Sequence, residues 1–185
     1  MAGFVVVYTA AATFLNYHEE PRPSDAVVLF IGPDYPERKK EALQLMEEGY
    51  ADRLLIPALN QVLTRVDGKV KQTGRPDPDG LDRSIYPEYY ENTHVEALEA
   101  KTMMDTAGYT SAIFVSSPYH MRRISMISKA VFQDEKYQLT FRGSRYARTD
   151  GFFPLFRWSK IEQVFEEYLK IAGFLAYRFY EKVLA

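Results

Sequence analysis

The stretch Ser116-Ser117-Pro118-Tyr119-His120-Met121-Arg122-Arg123 follows an apolar run, Ser111 to Val115, and leads into helical spacing over Ile124 to Phe132. Two hydroxyls, a phenol, an imidazole and two guanidiniums are more than packing asks of one turn. His120 and Arg123 are three residues apart and share a helix face, whereas Arg122 points elsewhere. In a first helical turn the dipole disfavours the imidazolium, so the ring stays neutral near pH 7. Arg123 stays charged and can hold a phosphate or carboxylate through two parallel N–H bonds. Together they form a candidate anion site with a proton donor or acceptor, His120, beside it. The plain alternative is a surface histidine and an arginine paired with a neighbouring acid. Ser117, before Pro118, has the type and position of an N-cap. A second polar turn, Glu91-Asn92-Thr93, opens another helical stretch. Asn92 and Thr93 would orient a ligand there, and Glu91 would either pair with an arginine or act as a base.

These turns need elements to carry them. Asp25 to Gly32 is an apolar run bounded by turn residues, as expected of a strand buried on both faces. Pro36 opens a helix whose apolar positions are Ala42, Leu45 and Met46, and Gly49 ends it. Asp52 to Ala58 reads as a second strand stopped by Pro57. Asp67-Gly68 between alternating residues is a short-hairpin signal, and Gly74 to Gly80 is loop. The connection from Leu59 to Tyr90 is long for a compact domain and a candidate lid over a site. Asn92 to Gly108 is a helix in which Thr93 and Glu96 have capping-box spacing and Gly108 closes the far end. Ser111 to Val115 is the third strand, Pro118 to Phe132 its helix, and Tyr137 to Gly143 a fourth strand. From about Trp158 to Leu184, Val164, Phe165, Leu169, Ala172, Ala176 and Phe179 form a stripe expected to face the core. Alternating strands and helices give an α/β fold, a Rossmann-like three-layer sandwich with a mostly parallel sheet. Ligands of such sheets bind beyond the C-terminal strand ends. Ser116 to Arg123 and Glu91 to Thr93 are expected at that edge.

The chain has 185 residues, 46% of them hydrophobic, enough for one core. With 23 basic and 25 acidic residues the net charge is -2, and no basic excess points to nucleic acid. Without cysteine there is no disulfide, thiolate nucleophile or Cys-ligated metal site, and no metal ligand set is assigned. The Walker A, dinucleotide-binding, zinc-protease and nucleophile-elbow patterns are missing, and no cofactor is assigned. Ala2 to Tyr17 carries no charge and is followed by the polar His18 to Asp25. At slightly under the roughly 20 residues of a membrane span, the run reads as a buried helix or as the outer part of an N-terminal anchor. The expectation taken is a membrane anchor, whole or truncated, over residues 1–20 and an α/β domain over 21–185. The acidic flank puts that domain outside the cytoplasm.

Four motifs resemble, in order and approximate spacing, those of the YdcF-like family, which includes SanA and ElyC. Asp25-Ala26-Val27-Val28 matches the first element, and Arg38 with Gly49-Tyr50-Ala51 the second. Asn92-Thr93 with Glu96-Ala97 matches the third, and Ser117, His120 and Arg123 the fourth. The resemblance covers roughly residues 25–180. It departs where the family's glycines are replaced by Gly32-Pro33-Asp34 and by Pro57-Ala58-Leu59. Proline removes a backbone donor there, and Asp34 adds negative charge. The resemblance implies a Rossmann-like domain behind a membrane helix at the inner or plasma membrane, with a bacterial envelope and peptidoglycan-related role. It adds Asp25, Gly32 and Arg38 to Asn92, Thr93, Ser116, Ser117 and Arg123 as ligand-binding positions. His120 and Glu91 are the catalytic candidates. The ligand expected is a phosphate-bearing small molecule or lipid-linked intermediate. A soluble, cytoplasmic nucleotide or S-adenosylmethionine binder is one alternative, and a non-catalytic interaction module with a decayed pocket is another.

Overall fold

A computed structural model describes residues 2–74, 90–147 and 158–184. Its centre is β1 (Ala26–Leu29), every residue of which is buried. Four apolar residues in a row suit a strand covered on both faces. β1 pairs in parallel with β2 (Arg53–Ile56) on one side and with β5 (Ser111–Ser116) on the other. β6 (Gln138–Gly143) extends the sheet in parallel beyond β5. β3 (Gln61–Val66) and β4 (Lys69–Gln72) add an antiparallel hairpin beyond β2, giving the order β4-β3-β2-β1-β5-β6. Its turn is Asp67-Gly68, both at positive φ, the two-residue turn expected from the sequence.

The helices lie on both faces of this mixed, mostly parallel sheet. α2 (Tyr35–Glu47) packs Ala42, Leu45 and Met46 against Val27, Leu29, Ile113 and Val115. On the other face α3 (Asn92–Ala107) and α4 (Met121–Val131) cover Ala26, Val28 and Phe114. Phe174 of α5 (Trp158–Leu184) joins this second cluster. α3 ends at Gly108, whose left-handed conformation closes the helix. After β1 the chain builds β2 to β4 on one side, then returns through α3 to β5 on the other. The gap beyond the C-terminal ends of β1 and β5 is therefore a topological switch point, where strand-end ligands of open α/β sheets bind.

Several expectations change. Thr93 and Glu96 form no capping box. Glu91 occupies the N-cap position without a side-chain capping bond, and Glu96 accepts from the Ile31 N–H at 3.1 Å. Ser117 makes no cap bond either, and a single 3-10 turn, Pro118–His120, precedes α4. Its hydroxyl is engaged across the sheet instead, as described below. The apolar stripe of α5 faces solvent: Phe165, Leu169 and Phe179 are 62%, 56% and 71% exposed. Glu167, Ile171 and Phe174 face inward instead. α5 is apolar on two sides, and the inward side is the one that supplies a carboxylate to α4.

The charge-free N-terminal segment forms α1 (Ala2–Leu15), docked on α4 and α5. The Phe14 carbonyl accepts from Arg122 at 2.9 Å, and the Ala11 carbonyl from the Tyr168 hydroxyl at 3.1 Å. Among the described residues no helix is long and apolar enough to cross a membrane. The part of the candidate lid over residues 75–89 lies outside the described residues.

Asp25 sits at the N-terminal end of β1, away from the switch-point gap. One of its carboxylate oxygens accepts from the N–H groups of Thr110 and Ser111, both at 2.9 Å, and from the Ser111 hydroxyl at 2.8 Å. Desolvation works to raise this carboxyl, but the three donors prevail and hold it below its usual value. Its role is to fasten β1 to β5, so the ligand-binding assignment is not supported by its position. Asp25→Ala should lower the denaturant-unfolding free energy by about 1–2 kcal/mol at neutral pH. Because the folded carboxyl titrates below the unfolded one, that difference should shrink as pH falls below about 4.

Candidate functional site

A cleft of roughly 670 Å³ opens at the switch point, a volume typical of small-molecule sites. One wall follows β1, with Phe30, Ile31, Gly32 and Pro33; Ser116 comes from the end of β5. The start of α3 contributes Glu91, Asn92 and Thr93, and the turn into α4 contributes His120 and Arg123. Arg38 from α2, Glu96 from α3 and Lys170 from α5 complete the polar lining. Eight of the ten sequence-derived site residues meet here. Ser117 lies immediately beneath, fully buried, and Asp25 is at the opposite end of the strands.

Arg123 was expected to grip an anion, but protein groups already hold it. Its Nε and Nη2 donate to the two oxygens of Glu167 at 2.8 and 3.1 Å. Its Nη1 donates to Thr93 Oγ1 at 2.7 Å and to the Glu91 carboxylate. With two carboxylates on one guanidinium, Arg123 acts as a strut joining α3, α4 and α5. Glu91 is committed to that strut, so it pairs with an arginine rather than standing free as a base.

His120 is anchored by the same carboxylate. Its Nδ1 lies 2.9 Å from Glu167 Oε1. Burial pushes the imidazole below its ordinary pKa, and the neighbouring Glu167 only partly opposes this. A neutral ring donating Nδ1–H to Glu167 carries its lone pair on Nε2. That is the arrangement of a general base oriented by a buried carboxylate. Glu167 is desolvated, yet its bonds to His120 and Arg123 prevail and bring its carboxyl down to about 2.

Arg38 is the opposite case. It is 1% exposed, and no ion pair forms to it among the described residues. Nη1 donates to the carbonyls of Phe30 and Ile31 at 3.2 and 2.6 Å, and Nε to Ser117 Oγ at 2.9 Å. Nη2 has no partner. The Ser117 hydroxyl in turn donates to Asp34 at 2.7 Å, and Tyr119 donates to the same oxygen at 2.9 Å. The negative charge that Asp34 adds is thus turned toward these hydroxyls, and Asp34 is not part of the cleft lining. A Cβ on Gly32 would come within 2.5 Å of Arg38 Nη1, so glycine is required for the guanidinium to lie against the backbone. The Ser116 hydroxyl, fully buried in the same lining, also lacks a partner.

Glu96, Glu167 and Lys170 were not assigned from sequence, nor was the link from Asp34 through Ser117 to Arg38, although Ser117 and Arg38 were each named as ligand-binding positions. Glu96 stood in the motif but was read as a cap. Glu167 had one available signal, its helical spacing of four and seven from the apolar Ile171 and Phe174. Burial pushes the Glu96 carboxyl up to about 7, against the lowering effects of the Ile31 N–H and the two arginines.

Comparison with known proteins adds no assignment: no family model matches the chain, and no curated protein or solved structure shows a significant match.

Replacing Glu167 removes one of the two counter-charges of a buried guanidinium and the anchor of the His120 ring. Glu167→Gln should cost about 3 kcal/mol in unfolding free energy. A carboxyl at about 2 when folded and 4.5 when unfolded stabilises fully above 4.5 and loses that contribution as pH falls toward 2. Wild-type melting temperature should therefore drop steeply across that window, and the variant's acid limb should be flatter.

Proposed function

We propose that the cleft binds a phosphate-bearing ligand, with Arg38 and the start of α3 holding the phosphate and His120 facing the rest of the molecule. The observation that carries this is the bare Nη2 of a buried, unpaired guanidinium. Asp34 and Glu96 balance part of its charge, but the Nη2 donor stays unmet, and a buried donor without a partner is destabilising by about 1–3 kcal/mol. An anion bound in the cleft removes that penalty. The first N–H groups of α3, at Asn92 and Thr93, have no intrahelical acceptors and lie at the positive end of a 16-residue helix. The Ser116 hydroxyl adds a further donor. Phe30, Ile31, Pro33, Ala58 and Ile124 give the same cleft an apolar wall for the remainder of the ligand.

The four-motif resemblance supports the wider context: a bacterial envelope protein of the YdcF type, acting outside the cytoplasm on a phosphorylated small molecule or lipid-linked intermediate. Within that reading, His120 oriented by Glu167 supplies proton transfer to or from the bound ligand. Glu96 tunes the site. Near neutral pH it passes between a neutral carboxyl and an anion facing the same cleft, and the neutral form favours an anionic ligand.

Calorimetric titration with inorganic phosphate, a sugar phosphate and a polyprenyl phosphate in detergent separates headgroup from lipid recognition. Ser116→Ala removes a hydroxyl with no protein partner, so it should leave stability unchanged or raise it by about 1 kcal/mol while weakening binding. Arg38→Ala should weaken binding of every phosphate probe by tenfold or more, roughly the 1.4 kcal/mol or above of a charge-assisted hydrogen bond. Affinity that Arg38→Ala and Ser116→Ala both leave unchanged ends this reading. Wild-type affinity should also fall between pH 6 and pH 8, around the pKa of about 7 for Glu96, by up to roughly tenfold more than in Glu96→Gln.

A further inference from the structure

α5 is long and packs only one side onto the domain. Its outward face carries Phe165, Leu169, Ala172, Ala176, Phe179 and Val183, all exposed. The intervals between them run four, three, four, three, four, the a/d spacing of a helix-pairing seam. Exposed Leu175 and Tyr180 flank this seam. Between Leu169 and Tyr180 the helix has two charged residues, Lys170 and Arg178, and both are only part-exposed.

The order of residue types matters as much as the spacing. Phe165 and Val183 lie equally far from position 174. So do Leu169 and Phe179, and so do Ala172 and Ala176. Run antiparallel against a second copy about a two-fold axis at that position, the seam meets itself. Large side chains oppose large ones at both ends, and alanine opposes alanine at the centre, where the backbones come closest. Such an isologous contact needs one self-complementary patch and closes at two subunits.

Charge agrees with the same direction. The exposed carboxylates Glu162 and Glu166 stand at the N-terminal end of the face, and exposed Lys182 stands at the C-terminal end. Antiparallel pairing brings acidic end to basic end and opposes the helix dipoles, while parallel pairing aligns like with like. A lipid surface fits less well, because helices that lie on anionic bilayers border their apolar face with lysine and arginine. The size is also sufficient. The rings of Phe165, Phe179 and Tyr180 are 62–71% exposed, and aromatic side chains cover roughly 150–250 Å² each. With Leu169, Leu175 and Val183 added and two copies paired, the apolar area is on the order of 1,000 Å², the lower bound of a specific interface.

We infer that the outward face of α5 is a homodimer interface in which two copies of this chain pair their C-terminal helices antiparallel about Ala172 and Ala176. The inference stands independently of what the cleft binds.

Sedimentation equilibrium of the 185-residue chain across a dilution series should show a reversible monomer–dimer equilibrium. Leu169→Glu, at an exposed position, should weaken dimerisation by at least about thirtyfold, as expected for a central interface residue, and leave the far-UV spectrum and melting cooperativity of the monomer intact. The native chain has no cysteine, so orientation can be read by cross-linking. Phe165→Cys mixed with Val183→Cys should give a disulfide-linked heterodimer, while neither variant alone links efficiently, because the two positions are about 27 Å apart along the helix. A wild-type chain that stays monomeric throughout the series overturns the inference, as does self-linking of Phe165→Cys. Flotation of the wild-type chain, but not Leu169→Glu, with phosphatidylglycerol-containing vesicles in the absence of a dimer assigns the face to lipid and overturns it too.

Discussion

One carboxylate, that of Glu167, makes the C-terminal helix part of the cleft. Almost fully buried, it takes two bonds from Arg123 and one from His120, and through Arg123 it reaches Glu91 and Thr93 at the start of α3. Three helices far apart in sequence are therefore fixed relative to one another by a single ion-paired cluster. Such a cluster adds little net stability when complete but is severely disruptive when one member is lost. Its value lies in position: it fixes the His120 ring and the first turn of α3 at the mouth of the same hollow. Tyr90 reinforces this from below. Its hydroxyl donates to the Lys170 carbonyl at 3.1 Å, and its ring lies against Phe174 and Tyr177 in space that glycine at 173 leaves open.

The two arginines of the cleft divide the work. Arg123 has counter-ions and is structural; Arg38 has backbone carbonyls and a hydroxyl and keeps one nitrogen free. Sequence spacing favoured the first as the anion partner, because it stands three residues from a histidine. The second sits in the first turn of α2, where nothing local signals its role. It becomes special only because the segment after β1 brings Gly32 against its guanidinium, a contact made across the layers of the sandwich.

The elements themselves were largely legible. Continuous apolar runs marked β1 and β5, Asp67-Gly68 marked the hairpin, and Gly108 marked the end of α3, because each of these rests on local backbone physics. The general location of the cleft followed from topology. The partners within it did not, since His120, Arg123, Glu91 and Glu167 meet only after long-range packing. Thr93 and Glu96 show how one spacing can serve two purposes: the capping pattern is present, yet the glutamate turns to a strand-end N–H and the threonine to a guanidinium. α5 misled for a different reason. With apolar residues on two sides, periodicity could not say which side faces in, and the buried side is the one that carries a charge.

The two margins of the sheet are treated differently. At β6, Glu19 donates its N–H to the Phe141 carbonyl at 2.7 Å and accepts the Phe141 N–H on its side chain at 3.2 Å, so the connector after α1 seals that border. At β4 every residue is exposed and Lys69 and Lys71 alternate along the rim. Lysines there discourage a foreign strand from adding on. A protein so guarded at both borders resists cross-β aggregation, and its self-association is directed away from strand addition and toward its helices.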